Sequence, residues 1–304
     1  HFRGLSRHDE YKEVFNRVFK KLSNMNLDAI FIGGDIVHSK TQGISPELID
    51  ILVWWFKGLA DIAPVHVILG NHDGLILNKH RMDAISPIIE AIDSDNIHLY
   101  KKSGLYDTGI NGFKFGVFSC FDEENWDKVI PDPDSVNIAL YHGAVFGSVT
   151  DANWELDGEC GLEQFKGFDF GMFGDIHKRQ TLDKEGRFRY CGSTIQQNYG
   201  ETPGKGYLVW EIKNKNQWDV NFKEVFHQNP FVTIPWKDDI SNTMKEASKH
   251  RNFSRFRIRS SYQLTQSEIK EIYQLLKKEK NAHEIVFKVD EIDEEGNELP
   301  NNVF

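Results

Sequence analysis

Four short clusters hold the residue types able to do chemistry: Gly34-Asp35-Ile36-Val37-His38, Gly70-Asn71-His72-Asp73, Tyr141-His142-Gly143 and Gly174-Asp175-Ile176-His177. They mix hard carboxylate and amide oxygens with imidazole nitrogens. That donor set suits manganese, iron or zinc better than calcium or a thiolate-bound metal. Taken singly, each cluster reads more readily as a turn or a satisfied polar group at a strand end. Four in succession, each with a His or Asp directly after an apolar run, point to ligands for a pair of divalent ions. Two such ions about 3.5–4 Å apart activate a water and neutralise charge on a phosphate ester, and they need a carboxylate between them to offset their repulsion.

The elements that must position these clusters alternate between apolar runs and helical patterns, which is the sign of an α/β layered fold. Strands are expected at Leu27–Ile32, Val65–Leu69, Phe113–Ser119, Val136–Tyr141 and Phe168–Phe173, so each cluster falls just beyond a strand, where α/β folds place ligands. Val14, Phe15, Val18, Phe19 and Leu22 share one helical face, with Ser6 as the expected cap. A second helix starts at Ser45-Pro46-Glu47, where cap residue, first-turn proline and first-turn acid follow one another.

From Gly206 the pattern changes to alternating strands, Gly206–Ile212 and Trp218–Phe226, and Gln228-Asn229-Pro230 then interrupts it. A domain boundary is expected there, giving a first domain of residues 1–228 and a second of 229–304. The second reads as strand (Phe231–Ile234), helix (near Ser241–His250), strand (Arg255–Arg259), helix (from Thr265) and strand (Ile285–Val289). Thr265 and Glu268 have capping-box spacing. In Arg255-Phe256-Arg257-Ile258-Arg259, strand alternation puts three arginines on one face. Residues 237 to 288 hold 12 Lys or Arg against 7 Asp or Glu. Arginines two apart on a strand lie about 6.6–6.8 Å from each other, so this face could track a phosphate backbone. It reads equally as an exposed strand face kept soluble by charge. The acidic tail from Asp290 to Glu295 reads as a solvated end.

Composition limits the partners. The formal charge of -10 disfavours indiscriminate nucleic-acid binding and leaves room only for a clustered site. With 39% hydrophobic and 27% charged residues, and no apolar run near the roughly 20 residues a membrane helix needs, the chain is expected to be soluble and off the membrane. Cys120, Cys160 and Cys191 are odd in number and far apart, which argues against a disulfide framework and fits a reducing compartment.

The motif order Gly-Asp-x-x-His, Gly-Asn-His-Asp, isolated His-Gly and Gly-x-x-His resembles the calcineurin-like metallophosphoesterases over about residues 1 to 210. The continuation Tyr190-Cys191-Gly192-Ser193-Thr194-Ile195-Gln196-Gln197-Asn198-Tyr199-Gly200-Glu201 resembles the SbcD-type nuclease, partner of the SbcC-type coiled-coil ATPase in DNA-break repair. The resemblance implies a phosphoesterase sandwich of two mixed sheets flanked by helices, with a smaller α+β capping domain that helps present DNA. It implies a two-metal DNA exonuclease or endonuclease, with manganese, or else magnesium, as cofactor. An ATPase partner, a homodimer and a cytoplasmic or nucleoid-associated location (nuclear if eukaryotic) follow from it too, in a cellular or viral setting.

Carried across motif by motif, Asp35 would bridge both ions, His1 and His177 would complete one site, and Asn71, His142 and Asp175 the other. His72 would be the acid at the leaving oxygen, Asp73 would orient it, and His38 would stand behind the ligands. Two positions depart from the family pattern. The Asp of its first motif, Asp-x-His, would fall two positions before His1, and Asp175 stands where the family commonly has His, which favours harder ions. Two alternatives stay open: a nucleotide or small-molecule phosphodiesterase or phosphatase of the same superfamily, and a metal-free scaffold. Protein phosphatases usually show Asp-Arg-Gly and Gly-Asn-His-Glu, against His38-Ser39-Lys40 and Asp73 here.

Overall fold

A computed structural model describes residues 5–38, 44–158 and 160–290. His1, Ser39, Lys40 and the acidic residues from Glu291 to Glu295 therefore lie outside the described residues. The chain divides into two compact units, one running to Ile195 with Lys205–Val225 added, the other made of Gln196–Gly204 and the chain from Phe226 onward. The division falls three residues before the sequence-based boundary, and the second unit also takes in the stretch 196–204.

In the first unit, β1 (Ile30–Ile32), β2 (Val65–Ile68) and β3 (Ile97–Tyr100) form a wholly parallel sheet in that order. A second, mixed sheet contains β4 (Gly104–Asp107), β5 (Phe113–Phe118), β6 (Val136–His142), β7 (Phe170–Gly174), β8 (Gln180–Thr181) and β9 (Phe188–Tyr190). Its order is β4-β5-β6-β7-β9-β8, parallel in the centre and antiparallel at both edges. Every residue of β2 and β6 is buried, as expected of parallel strands covered on both faces. Ile68 and Tyr100 of the first sheet pack on Val117, Ile138, Leu140 and Phe170 of the second, so the sheets bury their facing sides against each other. Helices α1 (His8–Leu22), α2 (Pro46–Ala60) and α3 (Ser86–Ile92) cover the outer side of the first sheet. The hairpin β10 (Gly206–Asn214) and β11 (Gln217–Glu224) adds Trp210 and Trp218 to the inter-sheet core.

Local signals account for the helices. Tyr11, Val14, Phe15, Val18 and Leu22 form the buried stripe of α1 at helical spacing. Ser6 is not its cap. A 3-10 turn over Leu5–Arg7 runs directly into α1, leaving Arg7 at the N-cap without a capping side chain and paired instead with Glu10 at 2.9 Å. The start of α2 is as expected, with Ser45 Oγ accepting from the Leu48 N–H at 3.2 Å and Pro46 in the first turn. The strand expected at Leu27–Ile32 shrinks to β1, while α3, β3 and β4 are too short and irregular in pattern to have been expected. Among the described residues no helix is long and apolar enough to cross a membrane.

The second unit has the expected strand-helix order: β12 (Phe231–Pro235), α4 (Ile240–Ser248), β13 (Arg255–Ser260), α5 (Gln266–Lys280) and β14 (Glu284–Val289). The three strands are parallel, with β13 in the middle. Thr265 and Glu268 form a reciprocal capping box at α5. Phe256 and Ile258 pack with Ile272 and Leu276 of α5, which places the arginines on the opposite face, as period two requires.

That arginine face is not the open surface the sequence suggested. Gln196 exchanges hydrogen bonds with the backbone of Phe231 on the neighbouring strand, and Tyr199 O accepts from Arg257 at 3.2 Å, so the chain at Tyr199 meets this face. Arg255 is only 5% exposed, donates to Asn229 O and stacks over Phe231. Arg259 pairs with Asp290. Arg255 is thus buried, while Arg257 and Arg259 are half-buried, and all three are engaged within their own unit.

Candidate metal centre

Three of the expected ligands meet. Asp35 follows β1, His142 ends β6 and Asp175 follows β7, and their ligand atoms lie within 4.8 Å of one another. Both sheets of the sandwich thus contribute. His142 Nδ1 lies 2.6 Å from Gly33 O, and because a carbonyl only accepts, Nδ1 carries the proton. The other nitrogen, Nε2, points at Asp35 Oδ1 (3.3 Å) and Asp175 Oδ1 (3.7 Å). It is buried and makes no well-aligned hydrogen bond. An imidazole fixed through Nδ1, with its buried Nε2 facing two carboxylates, fits a divalent ion.

The electrostatics favour a cation at this point. Burial disfavours an imidazolium at His142, but Asp35 outweighs it, and with Asp175 and Gly33 O contributing, the group is raised to about 9. Asp35 is lowered to about 2, burial being overcome by His142 and, more weakly, His72. Asp175 is pushed up by burial against the pull of His142. Without metal, a proton on His142 balances the carboxylates below about pH 9. A metal needs the neutral ring, so affinity here should rise with pH up to that value. Titrating metal-free protein with manganese near neutral pH is expected to release about one proton from this imidazole. Calorimetry in two buffers of different ionisation enthalpy would measure it, and uptake without proton release would contradict the assignment.

The backbone explains why these clusters carry glycine and aspartate. Asp35 (φ 56°) and Asp175 (φ 91°) both adopt positive φ, a conformation that Asp tolerates better than most residues and that recurs at functional sites. A Cβ at Gly70 would collide with the Asp35 backbone nitrogen and carboxylate, and one at Gly174 would run into Gly33 O. Only glycine lets the three loops close around His142.

His72 borders the group. Its backbone N–H donates to Asp35 Oδ1 at 2.9 Å, and its Nδ1 donates to His38 O at 2.5 Å. The His38 ring lies nearly parallel to it, 5.9 Å between centroids and 10° between planes. Asp73 does not orient His72. It is fully buried, with Oδ2 accepting from Gly70 N–H (2.8 Å) and Oδ1 from Ile36 (2.8 Å) and Val37 (3.0 Å). Its carboxylate fastens the Asp35 loop to the Gly70 turn, and the group holding the His72 ring is the His38 carbonyl. Asn71 occupies the same turn with its Oδ1 buried. His177, in the loop after β7, lies close to Asp175. The expected ligand His1 lies outside the described residues.

Two positioning residues escaped the sequence reading. The Tyr190 hydroxyl donates to Gly143 O (2.7 Å) and accepts from Val145 N–H (2.8 Å), fixing the turn behind His142. Lys205, 5% exposed, donates to His177 O (2.9 Å) and to the Asp151 carboxylate (3.2 Å). Tyr190 opens the stretch that carries the family resemblance, a signal that could have marked it. A single Lys between glycines carries none.

Comparison with known proteins places residues 1–179 within the family described as calcineurin-like phosphoesterase. The chain is 44% identical over 232 residues to uncharacterized protein R555 of Acanthamoeba polyphaga mimivirus, covering 71% of this chain and 17% of that protein. It is 25% identical over 215 residues to the DNA double-strand break repair protein Mre11 of Halobacterium salinarum, covering 70% of this chain and 53% of that protein. The Mre11 of Haloferax volcanii is 24% identical over 214 residues, covering 68% and 45%. The matched part is thus about half, or less, of these curated relatives.

Proposed function

The chain belongs to the calcineurin-like phosphoesterase family, and on that premise we propose that it is a metal-dependent nuclease acting on DNA at double-strand breaks. The observation that carries the hydrolytic part is the convergence of Asp35, His142 and Asp175 beside His72. The DNA part is supported by the similarity to two proteins named for double-strand break repair and by the sequence Tyr190 to Glu201. The basic surplus within residues 237 to 288 favours a polyanion, although the arginines of β13 are engaged inside their own unit.

Asp35, His142 and Asp175 would hold divalent metal, with Asn71, His177 and His1 joining them on the family pattern; manganese, or else magnesium, suits a set in which Asp175 replaces an imidazole. When bound, the ions supply an activated water and offset charge on the phosphate. The protein's own contribution is the proton inventory. With Nδ1 committed to the His38 carbonyl, His72 has only Nε2 to give a proton to the leaving oxygen. The Asp73 clamp and the His142–Gly33 contact keep the loops registered, and carboxylates and acid so held would face one phosphate. The proposal extends to an SbcC-type ATPase partner and a homodimer, both resting on the resemblance alone.

The test is manganese-dependent hydrolysis of linear duplex DNA alongside a cyclic nucleotide and a phosphopeptide. Cleavage of DNA is expected. Turnover of either small substrate with none of DNA would transfer the site to another phosphoesterase class, and absence of bound metal in the intact protein would leave only a scaffold.

A further inference from the structure

Residues 145 to 156 form a self-paired loop that a further bridge from Val145 ties to Cys160: Val149 bridges Glu155, and Thr150 and Trp154 close the tip through Thr150 N–H to Trp154 O at 2.9 Å. Side chains tie this hairpin to the segment that starts with His177. Gln180 bonds both the N–H and the carbonyl of Val149 (2.9 and 2.8 Å). Lys178 Nζ meets Asn153 Oδ1 at 2.5 Å, and Lys205 joins Asp151 to His177 O. The tip is thereby fixed beside an expected metal ligand.

On this fixed tip, Trp154 is 56% exposed, a large apolar surface left to water. Lys178 stands at the neighbouring Asn153. An open indole, with a cation bound at the residue before it, matches what an unpaired nucleobase and its phosphate require, since every base offers a π-face and stacking tolerates sequence. We propose that Trp154 is a stacking platform for a nucleobase adjoining the phosphate held at the metal centre, a role that rests on the phosphodiesterase reading above. The tied-down hairpin supplies part of the preorganisation, because its backbone is already fixed and an indole has few rotatable bonds to lose when a base covers it.

Two chromogenic diesters with one leaving group test this: thymidine 5′-p-nitrophenyl phosphate, which carries a base, and methyl p-nitrophenyl phosphate, which does not. With manganese-loaded protein, Trp154→Ala should raise the ratio of the thymidine-ester KM to the methyl-ester KM by about tenfold. Trp154→Phe, which keeps a π-face, should hold that ratio near its original value. An unchanged ratio in Trp154→Ala, or a shift as large in Trp154→Phe, overturns the stacking role while leaving the phosphodiesterase reading in place. Hydrolysis of neither ester by the unaltered protein overturns that reading and this role with it.

Discussion

Asp35→Asn is expected to lose metal and to lower phosphodiester hydrolysis by more than about 100-fold, beyond the usual cost of losing a residue that stands behind the ligands. Asn has the same shape and tolerates the positive φ of this position, and its side-chain oxygen can still accept the His72 N–H. The fold should therefore survive, with far-ultraviolet circular dichroism and Tm close to those of the unaltered protein. The charge is what disappears. His142 loses the carboxylate that stabilises its cationic form, and any metal loses its most buried anionic ligand. Metal content by mass spectrometry and turnover on DNA are the readouts. Unaltered metal content with unaltered turnover would remove Asp35 from the centre.

His72→Gln is expected to separate chemistry from metal binding. General acid catalysis by a positioned side chain contributes roughly 10²–10⁴-fold, so kcat should fall by about that factor while metal content holds. The separation has a structural reason: His72 reaches Asp35 through its backbone N–H, which substitution leaves in place, and its ring is held by the His38 carbonyl. A p-nitrophenyl diester, whose leaving group needs little protonation, should show a much smaller loss than DNA. Equal losses on both would assign His72 to positioning or charge stabilisation, and full activity on DNA would discard it.

Both expectations depend on residues visible in the bare sequence, because ligand chemistry restricts identity strongly. An ion can be held by few side-chain types, and α/β folds place them at strand ends, so Asp35, His142 and Asp175 could be read before any fold was known. Local interactions were equally readable: Ser45 and Thr265 cap helices through partners three residues away. The period-two pattern of β13 correctly put Phe256 and Ile258 opposite the arginines.

What the sequence could not contain was the identity of partners distant along the chain. Asp73 beside His72 suggests a carboxylate that orients the ring, yet its bonds go to Ile36 and Val37, 37 and 36 positions away. Arg257 looks like an exposed cation until Tyr199, 58 positions away, is laid across its strand. Lys205 becomes meaningful only when folding sets it between Asp151 and His177. Residue type and periodicity thus determined which groups could bind metal and where helices begin, since those depend on chemistry within a few residues. Tertiary structure alone decided which carboxylate clamps a loop, which arginines are covered and where an indole stands open, since each depends on contacts between chain segments that sequence spacing does not encode.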